Sequence, residues 1–147
     1  QELQITGGSD LSEQFDVCAP AGQVSPGMVV CIDPSRPGNL IVSTKPYDRT
    51  VAGVISGAGG VKPGMLMGQK GSKANGGHPV ALTGRVYCLC DASTGPIQPG
   101  DLLTTSNTSG HAMKVADHGK AQGAILGKAM TALPKGKGLV LVLVALQ

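Results

Sequence analysis

Three groups of side chains in this sequence are of types that do chemistry. The first is acidic. Asp10, Glu13 and Asp16 lie close together near the start of the chain. Two carboxylates held side by side can share a proton and divide acid and base work between them. Asp10 and Glu13 are three residues apart, so a helical turn would bring them to one face. The segment from Ser9 to Phe15 is the one place where a short helical turn is predicted. The competing reading is a solvated acidic turn, and on spacing alone it prevails. The second group is Cys18, Cys31, Cys88 and Cys90. Cys88 and Cys90, two apart on a predicted strand, point to one face. With His78, His111 or His118 they could form a zinc site, but the Cys-x-x-Cys spacing usual for zinc is missing. A Cys18–Cys31 disulfide is a second reading. Buried free thiols packed as small apolar side chains are the third, and weigh most. The third group is the hydroxyl cluster from Thr104 to Ser109. No Gly-x-Ser-x-Gly elbow accompanies it, so a hydroxyl-lined turn is expected. Gly57-Ala58-Gly59-Gly60 lacks the following Gly-Lys-Ser/Thr of a phosphate loop. No cofactor is expected.

The elements that must position these residues are short strands. Pro99-Gly100 is a turn signal, since proline fixes φ and glycine accepts a positive φ. Asp101 to Thr105, His111 to Val115 and Gln122 to Met130 then read as three strands separated by turns. The pattern has an earlier echo. Pro26-Gly27-Met28-Val29-Val30 opens a similar run, and Gly53-Val54-Ile55-Ser56-Gly57 aligns with Gly123-Ala124-Ile125-Leu126-Gly127. A weaker middle copy runs from Val61 to Gly84. The chain therefore reads as three related β units. Gln1 to Thr6 alternates as a strand, Gly68 to Gly77 reads as loop, and Leu139 to Leu146 reads as a buried closing strand. No window keeps apolar residues at helical spacing without an intervening glycine. The expected fold is all-β: one compact barrel or sandwich over residues 1–147, with few or no helices.

Composition agrees with that architecture. Of 147 residues, 41% are hydrophobic but only 2% aromatic, so the core must be Val, Leu, Ile, Met and Ala. The 23 Gly and 10 Pro punctuate many tight turns. The net charge of +3 is spread as single lysines with almost no aromatics to stack bases, which argues against nucleic-acid binding. No apolar run approaches the ~20 residues of a membrane span. Gln1 is not preceded by methionine, which predicts a piece of a longer polypeptide, with any targeting segment upstream.

Asp10-Leu11-Ser12-Glu13-Gln14-Phe15, Pro26-Gly27-Met28-Val29-Val30 and Tyr47-Asp48-Arg49-Thr50-Val51-Ala52-Gly53-Val54-Ile55-Ser56 together resemble the C-terminal β domain of phage tail-fibre and appendage proteins and of related long bacterial surface proteins. Gly95-Pro96-Ile97-Gln98-Pro99-Gly100-Asp101-Leu102-Leu103-Thr104 and Gly127-Lys128-Ala129 are similar to the later part of that domain. The resemblance implies a homotrimer at the end of a fibre, joined to an upstream stalk of the same polypeptide and located outside the cell, on a cell surface or on a virion. Some such domains are intramolecular chaperones that cleave themselves with an acidic Asp/Glu arrangement. Here Asp10 and Glu13 occupy the matching Asp-x-x-Glu motif, while Gln14 replaces the aromatic often found beside it. A glycan- or surface-binding module, using the loops at Gly68 to Gly77 and Ser106 to Gly110, is a further reading.

Overall fold

A computed structural model describes residues 9–20, 22–60, 65–67 and 77–147. The chain is all-β. Its strands in order are β1 (Ser9–Cys18), β2 (Val29–Ile32), β3 (Leu40–Val42), β4 (Val51–Ile55), β5 (Met65–Met67), β6 (Gly77–Asp91), β7 (Leu102–Thr105), β8 (Ala112–Lys114), β9 (Ile125–Ala129) and β10 (Lys137–Val144). Among the described residues a short 3-10 turn (Ala58–Gly60) and a helical turn, α1 (His118–Ala121), interrupt them. Asp117 caps α1, its carboxylate accepting from the Gly119 and Lys120 N–H groups. Among the described residues no helix is long and apolar enough to cross a membrane.

The long strand β6 organises the molecule. Its first half closes a circuit with β4, β2, β3 and β1, which we call barrel 1. Its second half joins β8, β7, β9 and β10 into a closed five-stranded barrel, barrel 2, because β10 pairs with both β9 and β6. The order of pairing is the same in the two circuits. In each, an opening strand runs parallel to the third, the second strand lies between third and fourth, and a closing strand returns antiparallel to the first. Each inner face carries aliphatic side chains. Val30, Leu40, Ile55 and Val80 fill barrel 1, and Leu103, Leu126, Val140 and Val142 are among those filling barrel 2. Period-two alternation produces this: along β10, Val140, Val142 and Val144 turn inward while Leu139 and Leu143 turn outward.

The repeat expected from the sequence is present, with one correction to its alignment. Gly27 and Gly100 stand at the same turn, with φ of 90° and 95°. The following strands β2 and β7 are each flanked by the other two strands of their unit, and each carries an irregularity at the same place, between Val30 and Cys31 and between Leu103 and Thr104. Val30 pairs with Gly53 and Leu103 with Gly127. Gly53 therefore corresponds to Gly127, four residues on from the Gly123 that the sequence suggested. The physical reason is a shared close approach. A Cβ at Gly53 would fall on the Ala81 carbonyl, and one at Gly127 on the Leu143 carbonyl. The middle copy falls largely outside the described residues; its described parts, β5 and the 80–84 stretch of β6, both pair with β1. The strand read at Gln1 to Thr6 and most of the loop read at Gly68 to Gly77 also lie outside them.

Candidate functional site

The acidic segment forms a strand and not the expected helical turn. Ser9 to Phe15 runs within β1, held along its length by β6. Alternation in a strand places Asp10 and Glu13, three apart, on opposite faces. The joint carboxylate face that a helical turn would create does not form. Asp10 is 2% exposed and accepts a hydrogen bond from the Ser56 hydroxyl at 2.6 Å. Ser12, two residues on and fully buried, shares its face. Asp10 and Ser56 thus tie β1 to the end of β4. Glu13 is half-buried on the other face, opposite Val80 in register.

All four cysteines are free thiols, so the Cys18–Cys31 bridge is absent. Cys88 and Cys90 do share a face, as expected, and that face is the packed interior of barrel 2. The hydrogen bond the Cys88 thiol makes to Cys90, together with burial, raises the Cys88 pKa well above the ordinary thiol value. Among the described residues no set of three or more His, Cys, Asp or Glu side chains gathers where a metal could sit. His78 is on β6 opposite Phe15, His118 opens α1, and the His111 ring lies 2.8 Å from the Ser109 carbonyl. The three do not converge on the cysteine pair.

The hydroxyl cluster has a structural partner that sequence reading missed. One Asp91 oxygen accepts from the Ser93 N–H at 2.9 Å and the Ser93 hydroxyl at 2.5 Å, and the other accepts from the Thr108 hydroxyl at 2.7 Å. These donors hold the Asp91 carboxyl down at about 2. The buried Thr104 hydroxyl donates to the Ala124 carbonyl at 2.6 Å. Ser106 donates to the His111 carbonyl at 2.7 Å and closes the turn. The hydroxyls are consumed in holding loops, as the hydroxyl-lined turn anticipates.

Two open surfaces stand out among the described residues. One is a cleft of about 260 Å³ on barrel 1, lined by Ile32, Pro34, Ile41, Ser43, Lys45 and Asp48 among others. Cys31 forms part of its wall, and burial followed by the Asp48 charge pushes its thiol up to about 12. Burial acts to raise Asp48, but the Thr50 hydroxyl and N–H, 2.6 and 2.9 Å away, prevail and lower it. The other surface is apolar. Leu139, Leu143, Leu146 and Met130 stand exposed on the outside of β10 and its surroundings, and Ile32 is exposed at the cleft. Periodicity could have placed Leu139 and Leu143 opposite the inward valines, but it does not say which face of a strand stays uncovered.

No protein-family model matches this chain, and no curated protein matches it.

Proposed function

We propose that this chain is a structural assembly module, a trimer-forming domain at the end of a fibrous extracellular or virion-borne protein. The observation that carries the reading is the leucine row on the outside of β10. Leu143 is 42% exposed, Leu139 on the same strand is comparably open, and so is Leu146 just beyond the strand's end. β10 is hydrogen-bonded on one side to β6 and on the other to β9. It pairs with β6 along its whole length and with β9 over Val142–Val144, so around Leu143 it has no free edge to offer an incoming strand, and whatever covers that leucine must bring a face of apolar side chains. Covering such surface is worth ~25 cal/mol per Å² of apolar area removed from water. Other copies of the chain are the occupant favoured by the resemblance to fibre-terminal domains, whose copies assemble as trimers. The partners are then two further copies and the stalk that precedes the domain.

Sedimentation equilibrium at micromolar concentration tests this. The expected result is a species of three chain masses. A clean monomer over the whole concentration range would sink the reading.

A further inference from the structure

The two barrels are joined by more than the shared strand, and the way they meet leaves one end of each unmatched. The outer face of barrel 1 presents Val29, Val51, Val54 and Ala81. All four are buried, in one continuous apolar cluster with Val86, Leu103, Leu126 and other barrel 2 side chains, separate from the cluster inside barrel 1. The corner that follows β3 completes the contact. Tyr47 N–H donates to the Thr105 carbonyl, Asp48 N–H to the Thr105 hydroxyl, and the Tyr47 hydroxyl oxygen accepts from the N–H groups of Ala116 and Asp117. Barrel 1 therefore gives a face and a corner, and barrel 2 receives them around Thr105, Ala116 and Asp117.

The registers carry each side of this contact onto the other barrel. Matching Val30 with Leu103 and Gly53 with Gly127 makes Leu102, Ile125, Lys128 and Leu143 the counterparts of the giving face. Where barrel 1 buries all four, barrel 2 leaves Lys128 and Leu143 exposed and Leu102 and Ile125 only half-buried. On the receiving side, Thr105 corresponds to Ile32, and Ala116 and Asp117 to Thr44 and Lys45. Ile32 is 53% exposed, and all three line the cleft of barrel 1. The cleft thus stands where, on barrel 2, the Tyr47 corner is seated.

We infer that copies of this chain associate head to tail, the outer face of barrel 2 around Leu143 covering the Ile32 cleft on barrel 1 of the next copy, so that the contact between copies repeats the contact within each. The inference rests on the self-assembly reading and specifies its interface. The contact is heterologous: its two sides are different patches, so it closes into a ring or continues as a filament. A ring of three closes without leaving either patch open.

Two variants of the full chain, Leu143→Glu and Ile32→Glu, test it by sedimentation velocity, with circular dichroism to check that each folds. Leu143→Ser and Ile32→Ser replace any charged variant that fails to fold. Each variant alone is expected to lose assembly, with association weakened at least tenfold. An equimolar mixture is expected to form one-to-one dimers, because one variant keeps the giving end and the other the receiving end. If Ile32→Glu assembles like the unmodified chain, the head-to-tail contact is overturned while self-assembly stands. The contact is likewise overturned if both variants are monomeric and their mixture remains so. If the unmodified chain is monomeric, both readings fail together.

Discussion

Asp91 shows at single-residue scale how this protein uses its carboxylates. With its carboxyl held at about 2 by Ser93 and Thr108, it titrates below the ~3.9 of an unfolded aspartate. A carboxyl whose folded value is depressed stabilises the fold fully above the unfolded value, and that contribution fades as pH falls through the folded one. Asp91→Asn is therefore expected to lower the melting temperature at pH 7, and the gap from the unmodified protein is expected to close between pH 4 and pH 2. Thermal melts across that range check it; a gap independent of pH would contradict the assignment. Cys31 gives the opposite sign. Its thiol, pushed to about 12 by burial and then by Asp48, stabilises the fold below the ~8.5 of an unfolded thiol and loses that contribution as pH rises towards 12. Only the thiolate is a good nucleophile. At pH 8 a thiol-specific reagent is expected to label half-buried Cys18 first and to spare Cys31, Cys88 and Cys90 until unfolding. Mass spectrometry of a labelling time course decides this, and early modification of Cys31 would refute it.

At the scale of elements, the two close-approach glycines make a matched pair. Gly53→Ala and Gly127→Ala would each drive a methyl group into a backbone carbonyl of the next strand, Ala81 in one case and Leu143 in the other. Neither carbonyl can swing aside without parting two paired strands. Overpacking of this kind costs ~1–3 kcal/mol or more. Gly100→Ala is the contrast. Its Cβ would meet nothing within 4 Å, so only the positive φ opposes it, at ~1–2 kcal/mol. Urea denaturation is expected to rank Gly127→Ala and Gly53→Ala as clearly more destabilising than Gly100→Ala. Equal effects of all three would mean that backbone strain, and not strand spacing, governs these positions.

On the scale of the whole molecule, β6 belongs to both barrels, so neither closes without it. Equilibrium unfolding of the chain is accordingly expected to be one cooperative transition, seen alike by far-ultraviolet circular dichroism and by a probe attached at Cys18 in barrel 1. Two resolved transitions would show that the circuits fold independently. Tyr47 is the second tie between them. Its φ of 54° is unusual for a residue with a side chain, and it is compensated by the two N–H groups its hydroxyl oxygen accepts, each at 3.0 Å. Tyr47→Phe leaves both donors without that acceptor. It is expected to cost ~0.5–1.5 kcal/mol, since water can reach both donors, and to speed amide exchange at Ala116 and Asp117 before the barrel interiors. Exchange unchanged at those two amides would remove Tyr47 from this role.

The sequence alone determined the class and much of the rhythm of this fold. Glycine and proline set turns through φ, and alternating aliphatics set strand faces; both effects act between neighbours and need no distant partner. That is why the echo between Gly27 and Gly100 was legible, and why Cys88 and Cys90 were expected to share a face. Tertiary structure decided the rest. The segment holding Asp10 and Glu13 became a strand because β6, some seventy positions away, supplies its hydrogen bonds. The alignment of Gly53 with Gly127 followed from carbonyls across the sheet, which no local pattern encodes. Which leucines stay open, and that the Ile32 cleft corresponds to a place already filled on the second barrel, depends on how two closed circuits meet. Local chemistry fixes the strands; only packing between segments far apart in the chain fixes which of their faces remain for a partner.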